Sequence, residues 1–197
     1  MNSYQQNPKS DNVSQFLLDM FLEPYKENCK YLKKAQVQYS NVGIPKKSQK
    51  VDEAEWIIKG EFSIPDSCYI ADTGHFNAVE FNICYNQLCY ILMAYLVDNK
   101  LLDAMKHWDL KTYKERQLSN CLIAKFSSTF KKQINARQFQ GLLAINKSSF
   151  RGNLIILKTS CVFYDEYEGW AEGDVTIAIL NNELVENSGC VKKTVLA

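Results

Sequence analysis

The chain has 197 residues, of which 46% are hydrophobic and 23% charged, and its net charge is +1. That length fits one domain with a well-buried core, or one domain plus a tail, and that balance excludes a disordered chain. A net charge near zero gives no global field for nucleic acid, so no nucleic-acid partner is expected and basic clusters are judged locally.

In chain order, the polar residues 1–12 (MNSYQQNPKSDN) predict a disordered N-terminal tail. Residues 13–21 read as a short amphipathic helix, with Ser10, Asp11 or Asn12 as its cap and Pro24 as its stop. A first strand is expected over 30–42 and a turn at 43–47. A second strand over 55–64 is closed by Pro65-Asp66. Asp72-Thr73-Gly74-His75 form a loop that leads into a long apolar helix from about Phe76. The 22 residues 76–97 have the length of a membrane span but carry Asn77, Glu80, Asn82, Asn86 and Gln87. A carboxylate at that depth costs roughly 2.5–3.5 kcal/mol on insertion scales. The reading is therefore a helix buried in a soluble, cytoplasmic protein with no membrane span.

A polar linker with a short helix at 111–117 follows. Four strands are then predicted over 121–132, 139–148, 154–165 and 171–180, with turn signals at Asn135-Ala136, Arg151-Gly152-Asn153 and Glu168-Gly169. Residues 182–197 read as an irregular C-terminal extension, which leaves 13–181 as a single domain. Strands joined by short connections are antiparallel, and a helix too apolar to face water must be wrapped by them. The expected class is α+β: a curved antiparallel sheet around one long central helix, the hot-dog arrangement, although other α+β folds fit the same string. Seven cysteines are present, an odd number with no C-x-x-C pair, and they read as reduced, mostly buried thiols. With two histidines, neither at ligand spacing from a cysteine pair, no metal site is expected.

The chemistry concentrates in Tyr69-Ile-Ala-Asp-Thr-Gly74-His75-Phe76-Asn77-Ala-Val-Glu80 and its continuation to Asn86. A Gly-His turn feeds a helix whose N-terminal N–H groups, Phe76 to Val79, can hold a polarised thioester oxygen. Gly74 lets backbone and substrate approach closely. Asn77 and Glu80, three apart, share a helix face. Apolar surroundings would raise the Glu80 pKa toward the range of a general base or acid, and His75 is the second proton carrier. Each residue also has a structural reading: Glu80 as a carboxylate favoured at a helix start, His75 as a turn histidine, Asn77 as a cap and Tyr69 as core. Asn86 is on a different helix face and orients a neighbouring group.

The stretch TGHFNAVEFNICYNQ (73–87) resembles the core motif of the FcoT-like thioesterase family of hot-dog proteins. Similarity extends to LEPY (22–25), CKYLKKAQ (29–36), AKFSSTFKKQINARQF (124–139) and residues 174–180. The resemblance implies action on long-chain fatty acyl thioesters. One such activity is conjugate addition of glycine to a (2E)-enoyl chain on an acyl carrier protein, with release of a 3-(carboxymethylamino) fatty acid for isonitrile lipopeptides. The other is thioester hydrolysis, on CoA or a carrier protein. A non-catalytic acyl-binding protein is a third reading, which intact Tyr69, His75, Asn77 and Glu80 argue against.

The family's polar pocket residues correspond here to Tyr25, Tyr69, His75, Asn77, Glu80 and Asn86. Gly74 and Phe76 join them at the substrate, and Lys125 or Ser128 is suggested for the glycine carboxylate. The chain departs from the family in a longer, lysine-rich segment at 42–52 and in the polar extension after Asn181. No cofactor is required, because any phosphopantetheine arm belongs to the substrate carrier or CoA. Lys30, Lys33 and Lys34, and Lys125, Lys131, Lys132 and Arg137, form two basic clusters that would suit an acidic carrier protein or serve only to blunt strand edges. Hot-dog domains commonly pair, so a dimer or a multiple of dimers is expected.

Overall fold

The computed structural model describes residues 10–39, 56–70 and 74–181. The tail before residue 10, the lysine-rich segment and the C-terminal extension lie outside the described residues. Among the described residues seven strands form one antiparallel sheet: β1 (Ser10–Asn12), β2 (Leu32–Tyr39), β3 (Trp56–Phe62), β4 (Cys121–Lys132), β5 (Phe139–Arg151), β6 (Leu154–Tyr164) and β7 (Trp170–Leu180). Their order across the sheet is β1-β2-β3-β5-β6-β7-β4. Among the described residues three α-helices accompany them: α1 (Gln15–Leu22), α2 (Ala78–Asp98) and α3 (Leu110–Arg116).

The four C-terminal strands are where the sequence places them, but they do not pair in simple succession. β5, β6 and β7 are joined by short turns and lie side by side. β4 pairs along its length with β7 at the far edge. The N-terminus also differs from expectation. Ser10, Asp11 and Asn12 do not cap α1; they pair with Gln38, Val37 and Gln36 as β1. The cap of α1 is Ser14, whose hydroxyl accepts from the Leu17 N–H at 3.3 Å.

α2 is the axis of the core. Its second half is buried on nearly every side, from Leu88 through Val97, with Tyr90 and Tyr95 half-buried. Strands on both sides of the sheet reach it. Its Leu88 meets the Gly60 position of β3, where an added Cβ would lie 2.7 Å from Leu88 Cδ2. Its Phe81 meets Gly173 of β7 in the same way, at 2.9 Å. The Tyr85 hydroxyl lies 2.8 Å from Thr159 Oγ1 of β6, and Thr159 in turn donates to the Val175 carbonyl at 3.0 Å. The sheet therefore wraps the helix, as in the hot-dog arrangement. The two glycines allow that approach by having no side chain.

One buried amide ties the chain before β2 to the helix. Gln87 is fully buried; its Oε1 accepts from the N–H groups of Tyr31 (3.0 Å) and Leu32 (2.8 Å), and its Nε2 donates to the Cys29 carbonyl (2.6 Å). A polar group this deep is tolerated because it is hydrogen-bonded on both ends. Among the described residues no helix is long and apolar enough to cross a membrane.

Candidate functional site

The first turn of α2 is built by a reciprocal cap. Asn77 has extended backbone geometry, and its Oδ1 accepts from the N–H groups of Val79 (2.9 Å) and Glu80 (3.3 Å). Glu80 reaches back, its Oε2 accepting from the Asn77 N–H at 3.2 Å. Tyr69 joins from the preceding segment, its hydroxyl donating to Asn77 Oδ1 at 2.8 Å. The structure thus brings Tyr69, Asn77 and Glu80 into one hydrogen-bonded group. The structural reading of Asn77 as a cap holds, and Glu80 is part of the same cap.

This arrangement changes the expected oxyanion donors. The Phe76 N–H donates to the Ile134 carbonyl (3.2 Å), and those of Asn77, Val79 and Glu80 are taken up by the cap. Of the stretch from Phe76 to Val79, Ala78 is the residue whose N–H makes no such bond among the described residues, and it is exposed. A helix N-terminus cannot offer the same N–H twice.

Ala78 lines a surface pocket of about 520 Å³ together with His75, Phe76, Asn77, Phe130, Lys131, Lys132 and Gln133. Its floor is aromatic. Phe76 is buried, with its ring centroid 6.3 Å from that of Phe130, 4.8 Å from Phe139 and 5.2 Å from Phe163. Its wall is polar: half-buried His75 and Asn77 on one side, Lys131 and Lys132 on the other. Gly74, just before, has φ 75°, a left-handed turn that a side chain would strain, although open space surrounds its Cβ position. Its contribution is the turn that delivers His75, not a close approach forced by crowding. Glu80 is buried at 2% exposure and is not among the lining residues.

The remaining predicted residues are elsewhere. Tyr25 packs against Tyr90, with ring centroids 6.4 Å apart. Burial, then Tyr90, Cys84 and Cys89, push its phenol well up, so it stays neutral. Asn86 is nine residues beyond Asn77, about 13 Å along the axis of α2, on the same side as Val79. Ser128 pairs with Gly173, on the face of the sheet that meets Phe81. Lys125 does not join it: it lines a separate pocket with Ser127, Asn146, Lys158 and Asp174. Strand alternation separates two residues three apart, a signal already present in the spacing. The missed elements of the pocket are Phe130, Lys131 and Lys132. Lysines 131 and 132 were visible as a basic cluster, but only the return of β4 past β7 puts them beside His75.

The FcoT-like thioesterase domain family matches residues 20–179. A (2E)-enoyl-ACP glycyltransferase of Streptomyces coeruleorubidus is 36% identical over 170 residues, covering 84% of this chain and 96% of that protein. One of Mycobacterium tuberculosis is 38% identical over 173 residues, covering 86% and 88%. A solved 4-hydroxybenzoyl CoA thioesterase, in complex with 4-hydroxybenzoyl CoA, is 11% identical over 64% of this chain and 86% of that one, with a TM-score of 0.41. Since the family match spans the helix, its cap and every strand but the first, the chain belongs to the FcoT-like thioesterase family.

Proposed function

We propose that this protein adds glycine to C3 of a (2E)-enoyl chain held as a thioester on an acyl carrier protein, and then releases the product. The observation that carries this reading is the similarity to two (2E)-enoyl-ACP glycyltransferases over most of the chain. In the balance, enoyl thioester, glycine and water give the 3-(carboxymethylamino) fatty acid and the free carrier thiol. Such a product suits isonitrile lipopeptide synthesis.

His75, at the pocket wall, takes a proton from the glycine ammonium. The amine attacks C3, and the electron pair moves to the thioester oxygen as an enolate. The Ala78 N–H and the positive end of α2 hold that oxygen, a type of contact worth roughly 3–4 kcal/mol per donor. Protonation at C2 completes the addition, and water then attacks the same carbonyl with the same donor holding the oxyanion. Glu80 and Tyr69 act through Asn77: they fix the helix start that points Ala78 into the pocket. The acyl chain runs along the stripe of α2 that carries Val79, Ile83, Asn86 and Tyr90, with Tyr25 at its far end. Ser128 is the candidate for the glycine carboxylate.

The requirement for C3 as electrophile is tested by pairing each 2-enoyl-carrier thioester with its saturated counterpart. Glycine-dependent consumption of the 2-enoyl substrate alone is the expected result. Equal release of free acid from both, unaffected by glycine, would make the protein a plain thioesterase.

Carrier docking is assigned to Lys131 and Lys132 of the pocket lining, where their charge suits an acidic carrier. Lys132 also pairs with Glu168 at 3.0 Å, but that pair is exposed and weak. Reversing both lysines to Glu is expected to lower kcat/KM about tenfold or more for a carrier-linked substrate, and far less for the same acyl chain on pantetheine. An equal loss on both substrates would remove the docking role.

A dimer, or a multiple of dimers, is supported by β4. It has one strand neighbour among the described residues and exposes Leu122 (61%) and Ile123 (37%) along an open edge. Long apolar edges of this kind are liabilities unless covered. Sedimentation is expected to show dimers that Leu122→Lys weakens. A monomeric native protein would discard the pairing.

A further inference from the structure

The pocket that holds Lys125 lies on the face of the sheet turned away from α2. Thr159 of β6 faces inward, its Oγ1 2.8 Å from the Tyr85 hydroxyl of α2. Val175 of β7 is buried, and Phe126 of β4 packs on the rings of Phe81 and Tyr85. Their neighbours Lys158, Thr176 and Lys125 therefore point outward. These three are in register, with Thr176 opposite Lys125 on one side and Lys158 on the other. Lys147 of β5 is opposite Lys158 and extends the row. Lys125 and Lys158 are two strand spacings apart, about 9.5 Å between Cα atoms, so their long side chains can converge on one group above Thr176.

Like charges directly opposite each other in a sheet are destabilising, and Lys147 and Lys158 are such a pair. Lys30, Lys34, Lys106, Lys114 and Lys132 each form an ion pair with a carboxylate. Among the described residues no carboxylate pairs with Lys125, Lys147 or Lys158, and all three are exposed. A row of lysines kept only for solubility needs no recess. This one borders a pocket of about 550 Å³, within the size range of small-molecule sites. Its other lining includes short polar groups: the hydroxyls of Ser127 and Thr176 and the amide of Asn146. Asn146 is the extra residue of the bulge between Ile145 and Lys147, and the Ser160 hydroxyl, 3.1 Å from its Oδ1, holds it on this face. Asp174 is the acid of the lining. It pairs with Ser127 in the next row, about 7 Å along β7 from Thr176.

We propose that this pocket binds a small sugar phosphate, with the phosphate between Lys125 and Lys158 and a sugar hydroxyl donating to Asp174. The two ammonium groups give charge-assisted bonds to the phosphate oxygens, and the Thr176 hydroxyl beneath adds a neutral donor. The bound anion also offsets the repulsion between Lys147 and Lys158. A carboxylate one row away rejects a second anionic group but accepts from a hydroxyl. That combination favours a ligand with phosphate at one end and hydroxyls at the other. The site is separate from the pocket at His75 and does not depend on the reaction proposed above.

The test is calorimetric titration of the full-length protein at low salt with ribose 5-phosphate, inorganic phosphate and ribose. Ribose 5-phosphate is expected to saturate one site per chain, inorganic phosphate to bind more weakly, and ribose not to bind. Lys125→Ala and Lys158→Ala are each expected to weaken ribose 5-phosphate about tenfold or more, the loss typical of a charged hydrogen bond. Asp174→Asn is expected to narrow the preference for ribose 5-phosphate over inorganic phosphate. Thermal unfolding without ligand keeps the result interpretable: Lys158→Ala should melt cooperatively at or above the native midpoint, because it removes a like-charge pair. Lack of saturable ribose 5-phosphate binding overturns the site, even if an acidic protein docks on this face instead. Binding that survives both alanine substitutions, or that falls equally when Lys131 and Lys132 are replaced, also overturns it. Equal affinity for ribose 5-phosphate and inorganic phosphate, unchanged by Asp174→Asn, overturns the sugar class of the ligand.

Discussion

His75→Gln is expected to lower kcat for glycine addition by about 10²–10⁴-fold, the range typical of losing a general base. Glutamine keeps a polar side chain of similar reach at the pocket wall but does not cycle a proton at neutral pH. His75 is the imidazole among the residues lining the pocket with Ala78 and Asn77. Glu80, the carboxylate of the cap, is 2% exposed and accepts from the Asn77 N–H. KM for the enoyl substrate should change little, since the aromatic floor is untouched. Steady-state kinetics with both substrates varied will decide this. A variant within about threefold of native kcat would move the base to Glu80, and Glu80→Gln would then carry the loss.

The second large effect concerns stability. Phe81→Ala should lower unfolding free energy by about 3–5 kcal/mol, the cost typical of truncating a buried aromatic residue. Phe81 is fully buried, and its ring lies 4.9 Å from Phe163, 5.6 Å from Phe126, 5.8 Å from Phe130 and 6.0 Å from Phe76. It also fills the space that Gly173 leaves on β7. Truncation leaves a cavity among four rings that belong to α2's approach, β4 and β6, so the loss exceeds simple transfer of the side chain. Against a typical total stability of about 5–15 kcal/mol, the midpoint in urea should move far down. A loss below about 1 kcal/mol would mean that the cluster repacks and does not anchor the helix start.

What could be read from the sequence follows interaction range. The cap was legible because Asn77 and Glu80 are three apart and satisfy each other locally. The strands β4 to β7 were legible from turn residues and β-branched runs. Gln87 was not, because its partners at Cys29, Tyr31 and Leu32 are more than fifty residues away and nothing local distinguishes it from a surface amide. The place of β4 was equally hidden. Its partner β7 is the last strand, so the pocket's second wall depends on a pairing that no local pattern encodes. The oxyanion donors were assigned to four N–H groups because the helix start was visible. Which of them the cap consumes required the positions of the Asn77 and Glu80 side chains. Lys125 illustrates the reverse case: alternation in β4 alone sets it apart from Ser128.

In the proposed reaction glycine becomes bonded to the acyl chain. The most direct measurement is mass spectrometry of a 2-enoyl-carrier thioester incubated with the protein, with unlabelled glycine, with isotopically labelled glycine, and without glycine. The expected product is heavier by one glycine than the free enoic acid, carries the label and forms far faster than without protein. Free enoic acid alone, formed at the same rate whether or not glycine is present, would contradict it.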